Sequence, residues 1–488
     1  MRARCVMVLG TTSGAGKSWL ATALCRWYTR QGLKVAPFKA QNMSNHARVV
    51  AAKSGVGEIG SAQYFQALAA RAVPEVRMNP VLLKPEANSG SQVVLLGQVS
   101  AELTNMPWRD RSETLWPFIT ESLDALRAEN DVVVIEGAGS PAEINLMDRD
   151  IVNLQVARYA KARCLLISDI DRGGAFAHLY GTWALLPPTD QALIHGFVLN
   201  KFRGDVNLLS PAPERLLALT GIPTVATLPF WREHGLPEED GLFDDHVQPN
   251  IPTTRTIAII AYPYASNLDE FESLKKIPGV RLVWVRHPNQ LPELNRDDWL
   301  VLPGSKQTSA DLAWLREHGL AHSIQTFAQQ GGALLGVCGG LQMLGQQMID
   351  PHGVDGTAEG LRLLSLVTEF SLTKTVRQRE VQFGTINGPW AALSNLKCQG
   401  YEIHQGHTRA SQSSERSLND AHELIKDLVW QDTSGQVLGL YLHGLFENPQ
   451  VLTALFGAQV PSLDTVFDGL ADCLDRNIDH DVLKQLIA

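Results

Sequence analysis

The chain has 488 residues, 44% of them hydrophobic and 19% charged, with a formal net charge of −9. That length exceeds one ordinary core and predicts at least two domains. The hydrophobic share excludes wholesale disorder, and the acidic balance speaks against a nucleic-acid binder, which needs a basic face to displace counterions.

The N-terminus enters an apolar strand directly, with no leader expected. That strand, 5–9, is followed by "GTTSGAGKS" (10–18) and then by a helix whose apolar residues run to a stop at Gly32. Strand, Gly-rich loop and helix in that order predict a phosphate site. Backbone N–H groups of Thr12, Gly14, Ala15 and Gly16 would cradle phosphates, Lys17 would reach the β/γ-phosphates, and the Ser18 hydroxyl would ligate Mg²⁺. Further buried strands of a parallel sheet are predicted at 35–38, 132–135, 164–167 and 196–199. Glu136 ends one of them as a candidate metal ligand. Asp169, Asp171 and Arg172 follow another, where open α/β sheets bind ligands. Asn200 ends a third, where it could pair with a purine edge or merely form a turn.

The Pro-, Gly- and acid-rich stretch 231–255 predicts a domain boundary near residue 250. A second strand series follows at 256–261, 281–285, 299–302, 333–337 and 437–442, then a short helical tail. In "GGALLGVCGGLQMLG" a strand ends in Cys338 and two glycines lead into a helix, the setting of an exposed nucleophile. Backbone N–H groups at that turn, Gly339 among them, could stabilise an oxyanion. His443, also at a strand end, is the candidate base, with His404 its rival. Two residues past His443 stands Leu445, and the next acid is Glu447, so the group that orients the histidine stays open. The other five cysteines are scattered, form no Cys-x-x-Cys pair and are expected to be structural, as suits a reducing cytoplasm. No run of about eighteen apolar residues occurs, so a soluble cytoplasmic enzyme with no membrane or nucleic-acid partner is expected.

The extra residue in the first loop resembles the longer phosphate loop of the dethiobiotin-synthetase-like enzymes, which activate carboxylates with ATP. More specific are "FKAQNMSN", "GEIGSAQ", "MNPVLLKP", "SDIDRGGAFA", "NKFRGD", "LPEED", "LPGSKQT", "GVCGGLQMLG" and "GYEIHQGHT". Together they resemble the cobyric acid synthases of the cobyrinic and cobyric acid amidase family, over about nine tenths of the chain.

The resemblance implies two doubly wound α/β domains. The first, 1–250, would be a P-loop NTPase-type synthetase with a mostly parallel sheet. The second, 251–450, would be a flavodoxin-like class I glutamine amidotransferase, with 451–488 a helical tail. It further implies ATP and Mg²⁺, glutamine as nitrogen donor, and adenosylcobyrinic acid a,c-diamide as the corrinoid amidated at its b, d, e and g carboxylates. Gly304 of "LPGSK" would help form the oxyanion hole, and Gln41, Asn42, Asp169 and Arg172 would meet the corrinoid. Two strings depart from the family. "GVGEIG" lacks a possible metal-side Asp but keeps Glu58, and "AYPYASNLDEF" replaces an Arg-Ile-Ser-Asn string while keeping Ser266 and Asn267. "DPHGVDG" is similar to a cobalamin-binding D-x-H-x-x-G signature, but Asp355 breaks it and a surface turn is expected. The alternatives are the sister enzyme that amidates the a and c carboxylates, and a non-catalytic P-loop regulatory protein.

Overall fold

The computed structural model describes residues 2–53, 55–86, 90–231, 234–237, 251–411 and 420–488; the boundary expected near residue 250 lies outside them. The first half is built on a six-stranded sheet in the order Thr224–Pro229, Ile194–Phe202, Arg163–Asp169, Arg4–Gly10, Val132–Glu136, Val35–Phe38. Every pairing in it is parallel. Its central strands are buried on both faces, which is why they read as continuous Val/Ile/Leu runs rather than alternating ones. Arg4–Gly10 lies between two strands that come later in the chain, so its carboxyl end opens at a topological switch point, where such sheets bind ligands.

The second half holds a seven-stranded sheet in the order Val280–Val285, Arg255–Ile260, Trp299–Leu302, Ala333–Val337, Val437–Leu440, Val429–Asp432, Ala421–Ile425. The first four pairings are parallel and the last two antiparallel. The chain is therefore α/β throughout, with a mostly parallel sheet in each half.

Sequence periodicity missed the antiparallel pieces. In the first half these include the hairpin Ala47–Ala52 and Gly55–Gly60. In the second they include a long pair, Leu366–Gln382 with Lys397–Ala410. The hairpin and the long pair meet: Gln378 Nε2 donates to the Val49 carbonyl at 3.1 Å, and Ala47, Leu82 and Val94 pack with Ile403. The two halves thus share a seam of first-half hairpin against second-half ribbon.

The tail ties them again. Leu463–Asn477 places Val466, Phe467, Leu470, Ala471 and Leu474 in the core formed by the phosphate-loop helix Lys17–Arg30, not in the core of the half that precedes it. Buried Arg26 on that helix pairs with Asp468 at 2.8 Å and Asp464 at 2.9 Å, and the Trp27 indole donates to Asp475 at 2.6 Å. Among the described residues, no helix is long and apolar enough to cross a membrane.

Candidate functional site

The loop after Arg4–Gly10 folds tightly onto its neighbours. Gly16 has φ 103°, and a Cβ there would lie 2.0 Å from Asn200 Nδ2, so only glycine fits. Asn200 sits inside the strand Ile194–Phe202, and its amide donates to the Ala15 carbonyl at 2.9 Å. It braces the loop, and the turn-forming alternative falls. Lys17 Nζ donates to Thr12 O at 3.0 Å and Gly139 O at 3.1 Å, spanning the space a phosphate would take.

Glu136 is buried beneath the loop. Its Oε1 accepts from Ser18 Oγ at 2.9 Å and Lys39 Nζ at 2.7 Å, and its Oε2 from Gln66 Nε2 at 2.5 Å. Burial pushes this carboxyl up, but Lys39, Gln66 and Lys17 more than offset it and hold it below the usual carboxylate range. Lys39 and Gln66 were missed from sequence. Lys39 stands just past the end of Val35–Phe38, the position that singled out Glu136.

Lys17, Ser18, Lys39, Glu136 and Asn200 line a cleft of about 1650 Å³, which also takes in Gln41, Asn42 and Arg172, Lys275 and Lys276 of the second half, and Thr465 and Val466 of the tail. Met43, 60% exposed, and Leu146 add apolar surface beside Arg111 and Arg149. The volume is more than a nucleotide needs, since pockets for small ligands run to roughly 300–1000 Å³. Of the residues expected around the corrinoid, Gln41 and Asn42 face this cleft. Asp169 does not line it: its carboxylate pairs with Lys201 at 3.1 Å and Arg172 at 3.5 Å, and Lys201 in turn donates to Gly14 O at 3.0 Å. Asp169 therefore supports the phosphate loop.

In the second half three adjacent parallel strands, Trp299–Leu302, Ala333–Val337 and Val437–Leu440, deliver Gly304, Cys338 and His443 from their carboxyl ends. Cys338 adopts φ 51° and ψ −107°, the strained strand-to-helix turn of a nucleophile, here largely buried at the floor of its pocket. A Cβ on Gly339 would lie 2.7 Å from Ser305 N, so only glycine lets the turn pack directly against the Gly304–Ser305 backbone. The Cys338 thiol points to the Ile403 carbonyl at 3.4 Å, with His443 within hydrogen-bonding reach. His404 lines the same pocket but is occupied: Nε2 meets Glu402 at 3.0 Å, Nδ1 meets Gly406 O at 2.9 Å, and its ring stacks on Tyr441.

The group that orients His443 is Glu270. Its Oε1 accepts from His443 Nδ1 at 2.9 Å and its Oε2 from the Gly444 N–H at 2.8 Å, with both side chains almost fully buried. Burial would push His443 down, but Glu270 and the neighbouring Cys338 outweigh it and hold the imidazole up at about 10, as imidazolium at neutral pH. Glu447 does not orient His443; it pairs with Arg48 of the first half. Glu270 lies in the string "AYPYASNLDEF", in the first turn of the 3-10 helix Leu268–Lys276 that follows the strand Arg255–Ile260, and its place in the connection after that strand's carboxyl end was the one available signal.

Arg48, 1% exposed, crosses the seam to pair with Asp269 as well as Glu447. Its guanidinium lies over Tyr401, which stacks on His443. Glu58 is not near the phosphate loop. It is buried at the seam between Lys84 and Lys374; burial pushes it up, but the two lysines hold it at about 2. The surface turn expected at "DPHGVDG" is present, with residues 351–353 exposed, and Asp355 anchors it: its carboxylate accepts from Thr308 N and Ser309 N at the start of helix Thr308–Glu317. All six cysteines are free and buried; burial pushes Cys5 and Cys398 up to about 11 and Cys25 and Cys164 higher still, leaving those four as inert thiols.

Residues 6–238 match the CobQ/CobB/MinD/ParA nucleotide binding domain, and residues 256–451 the CobB/CobQ-like glutamine amidotransferase domain. The chain is 67% identical over 489 residues to a cobyric acid synthase of Variovorax paradoxus (strain S110), the match covering all of both chains. It is 63% identical over 489 residues to that of Polaromonas naphthalenivorans (strain CJ2), again over all of both. With a phosphate-loop cleft in one half, a Cys–His–Glu constellation in the other, and full-length likeness at this level, the chain belongs to the cobyric acid synthase family.

Proposed function

We propose that the chain uses ATP and glutamine to amidate the b, d, e and g carboxylates of adenosylcobyrinic acid a,c-diamide in the cytoplasm, yielding adenosylcobyric acid. The observation that carries this reading is the large cleft beside the phosphate loop. It joins lysines and arginines suited to a polycarboxylate with exposed apolar side chains suited to the face of a macrocycle.

In the second half, Cys338 Sγ attacks the glutamine carboxamide carbon while the Gly304 and Gly339 backbone region holds the oxyanion. His443 donates its proton to the leaving ammonia and then takes one from the water that opens the thioester, releasing glutamate. Glu270 keeps the imidazole turned and charged for the first of these transfers.

In the first half, Thr12, Gly14, Ala15 and Gly16 cradle the phosphates of ATP, Lys17 and Lys39 neutralise them, and Asn200 stands on the base side. Among the described residues no cluster of three or more His, Cys, Asp or Glu could hold a metal ion. The Ser18 hydroxyl and Glu136 carboxylate, 2.9 Å apart, are hard oxygen donors of the kind Mg²⁺ takes when phosphates and water complete its shell. Mg²⁺ held there would offset the charge of the transferred phosphoryl group. The corrinoid carboxylate accepts the γ-phosphoryl group, and ammonia displaces phosphate from the resulting acyl phosphate.

Mass spectrometry of product after incubation with the a,c-diamide, glutamine and ATP-Mg²⁺ tests the reading. Successive replacements of OH by NH₂ ending at four support it. Amidation of a substrate with free a and c carboxylates, and none of the a,c-diamide, identifies the sister activity instead.

A further inference from the structure

Around Cys338 lies a small pocket whose wall is not all from one half of the chain. Asn45 and Lys84 of the first half line it together with Lys374, Gln405 and His443 of the second. Two of its buried side-chain atoms have no hydrogen-bond partner: Asn45 Oδ1 and Lys374 Nζ. Lys374 sits where the long ribbon loses register, between Phe370 and Thr375, and its side chain reaches Glu58 of the first half. Its ammonium lies 2.6 Å from Glu58 Oε1 as an ion pair, and an ammonium carries three donors, of which that pairing occupies one. Lys84 is spent on Glu58, and Lys306 donates to Glu86 at 3.2 Å. A buried acceptor and a buried cation with donors to spare are costly unless a ligand completes them. The amino-acid end of glutamine offers the complement, an ammonium that donates and a carboxylate that accepts.

We propose that Lys374 binds the α-carboxylate of glutamine and Asn45 its α-ammonium, so that the glutaminase pocket is assembled from both halves of the chain. The inference rests on the reading of Cys338 as a glutamine-hydrolysing nucleophile. It assigns part of "QNMSN" to glutamine rather than to the corrinoid. It also makes docking of the hairpin Ala47–Ala52 and Gly55–Gly60 against the ribbon a condition for glutamine capture.

The test uses the full-length chain and three amides: glutamine, 4-aminobutanamide, which lacks the α-carboxylate, and glutaramate, which lacks the α-ammonium. Ammonia release is measured for the parent, Lys374→Met, Lys374→Arg and Asn45→Leu. The parent is expected to lose about 10–100-fold in kcat/KM on each truncated amide, the range for deleting a charged hydrogen bond. Lys374→Met is expected to lose a similar factor on glutamine, mainly through KM, and to discriminate no further against 4-aminobutanamide, while still discriminating against glutaramate. Asn45→Leu is expected to show the reverse pattern, and Lys374→Arg to restore discrimination. If the losses simply multiply, with each variant still rejecting both amides, the assignment is overturned. It is overturned equally, without any variant, if the parent hydrolyses a truncated amide as well as glutamine. A parent that hydrolyses no glutamine at all overturns the glutaminase reading itself, and this inference with it.

Discussion

Replacing Glu270 by Gln removes one charge beside His443 and keeps the shape. The pair is 2.9 Å apart and both side chains are nearly inaccessible to water. At an effective dielectric near 20 such an attraction is worth about 4 kcal/mol. At about 1.4 kcal/mol per pKa unit, that is roughly three units, in keeping with an imidazole raised from 6.5 to about 10. Without the carboxylate, burial prevails and the imidazolium loses its proton near or below neutrality. His443 must be protonated to give ammonia its proton, so hydrolysis is present below that pKa and lost as pH rises through it. The alkaline limb of kcat/KM for glutamine should therefore move from about 10 toward 7, with an activity loss of only about twofold at neutral pH that grows to roughly 10²-fold two units higher. The measurement is ammonia release from glutamine against pH for parent and variant. An alkaline limb that stays where it was would refute the assignment of Glu270, even if the rate fell.

Cys338→Ala should abolish glutamine-dependent amidation while leaving amidation with ammonium salts; loss of both in a folded variant would break the proposed division of labour. Lys17→Ala should stop amidation with either nitrogen source, and substantial residual turnover with ATP-Mg²⁺ would remove the phosphate loop from the reaction. Arg48→Met leaves the buried Asp269 and the partly buried Glu447 without their cation. A cost of about 3–5 kcal/mol is expected, read as a lower thermal midpoint together with a slower glutaminase, because Asp269 adjoins Glu270. An unchanged midpoint would mean that the seam does not depend on this residue.

Local pattern carried much of this protein. A strand buried on both faces is a short apolar run wherever the chain later goes, so five strands of each sheet, the phosphate loop, Cys338 and His443 could be read from windows of about ten residues, while Thr224–Pro229, Ala421–Ile425 and Val429–Asp432, toward the sheet edges, could not. The residues that pattern left undecided are those whose meaning depends on a distant partner. Glu270 is separated from His443 by 173 positions and is joined to it only because Arg255–Ile260 and Val437–Leu440 lie in one sheet. Glu58 sits in a family-like string that hinted at a metal, yet packing places it between Lys84 and Lys374. Asn200 was balanced between turn and ligand, and folding gives its amide a role the local sequence did not show, donating to the Ala15 carbonyl of the phosphate loop. The tail was legible as helix, but not as the cover of the phosphate-loop helix, since an amphipathic face specifies burial without naming the surface that buries it. Hydrophobic period and local turn chemistry are properties of neighbouring residues and survive in the linear chain. Charge pairing, orientation of a base and the joining of two halves into one pocket exist only once folding has brought remote segments together, and here they decide how the site works.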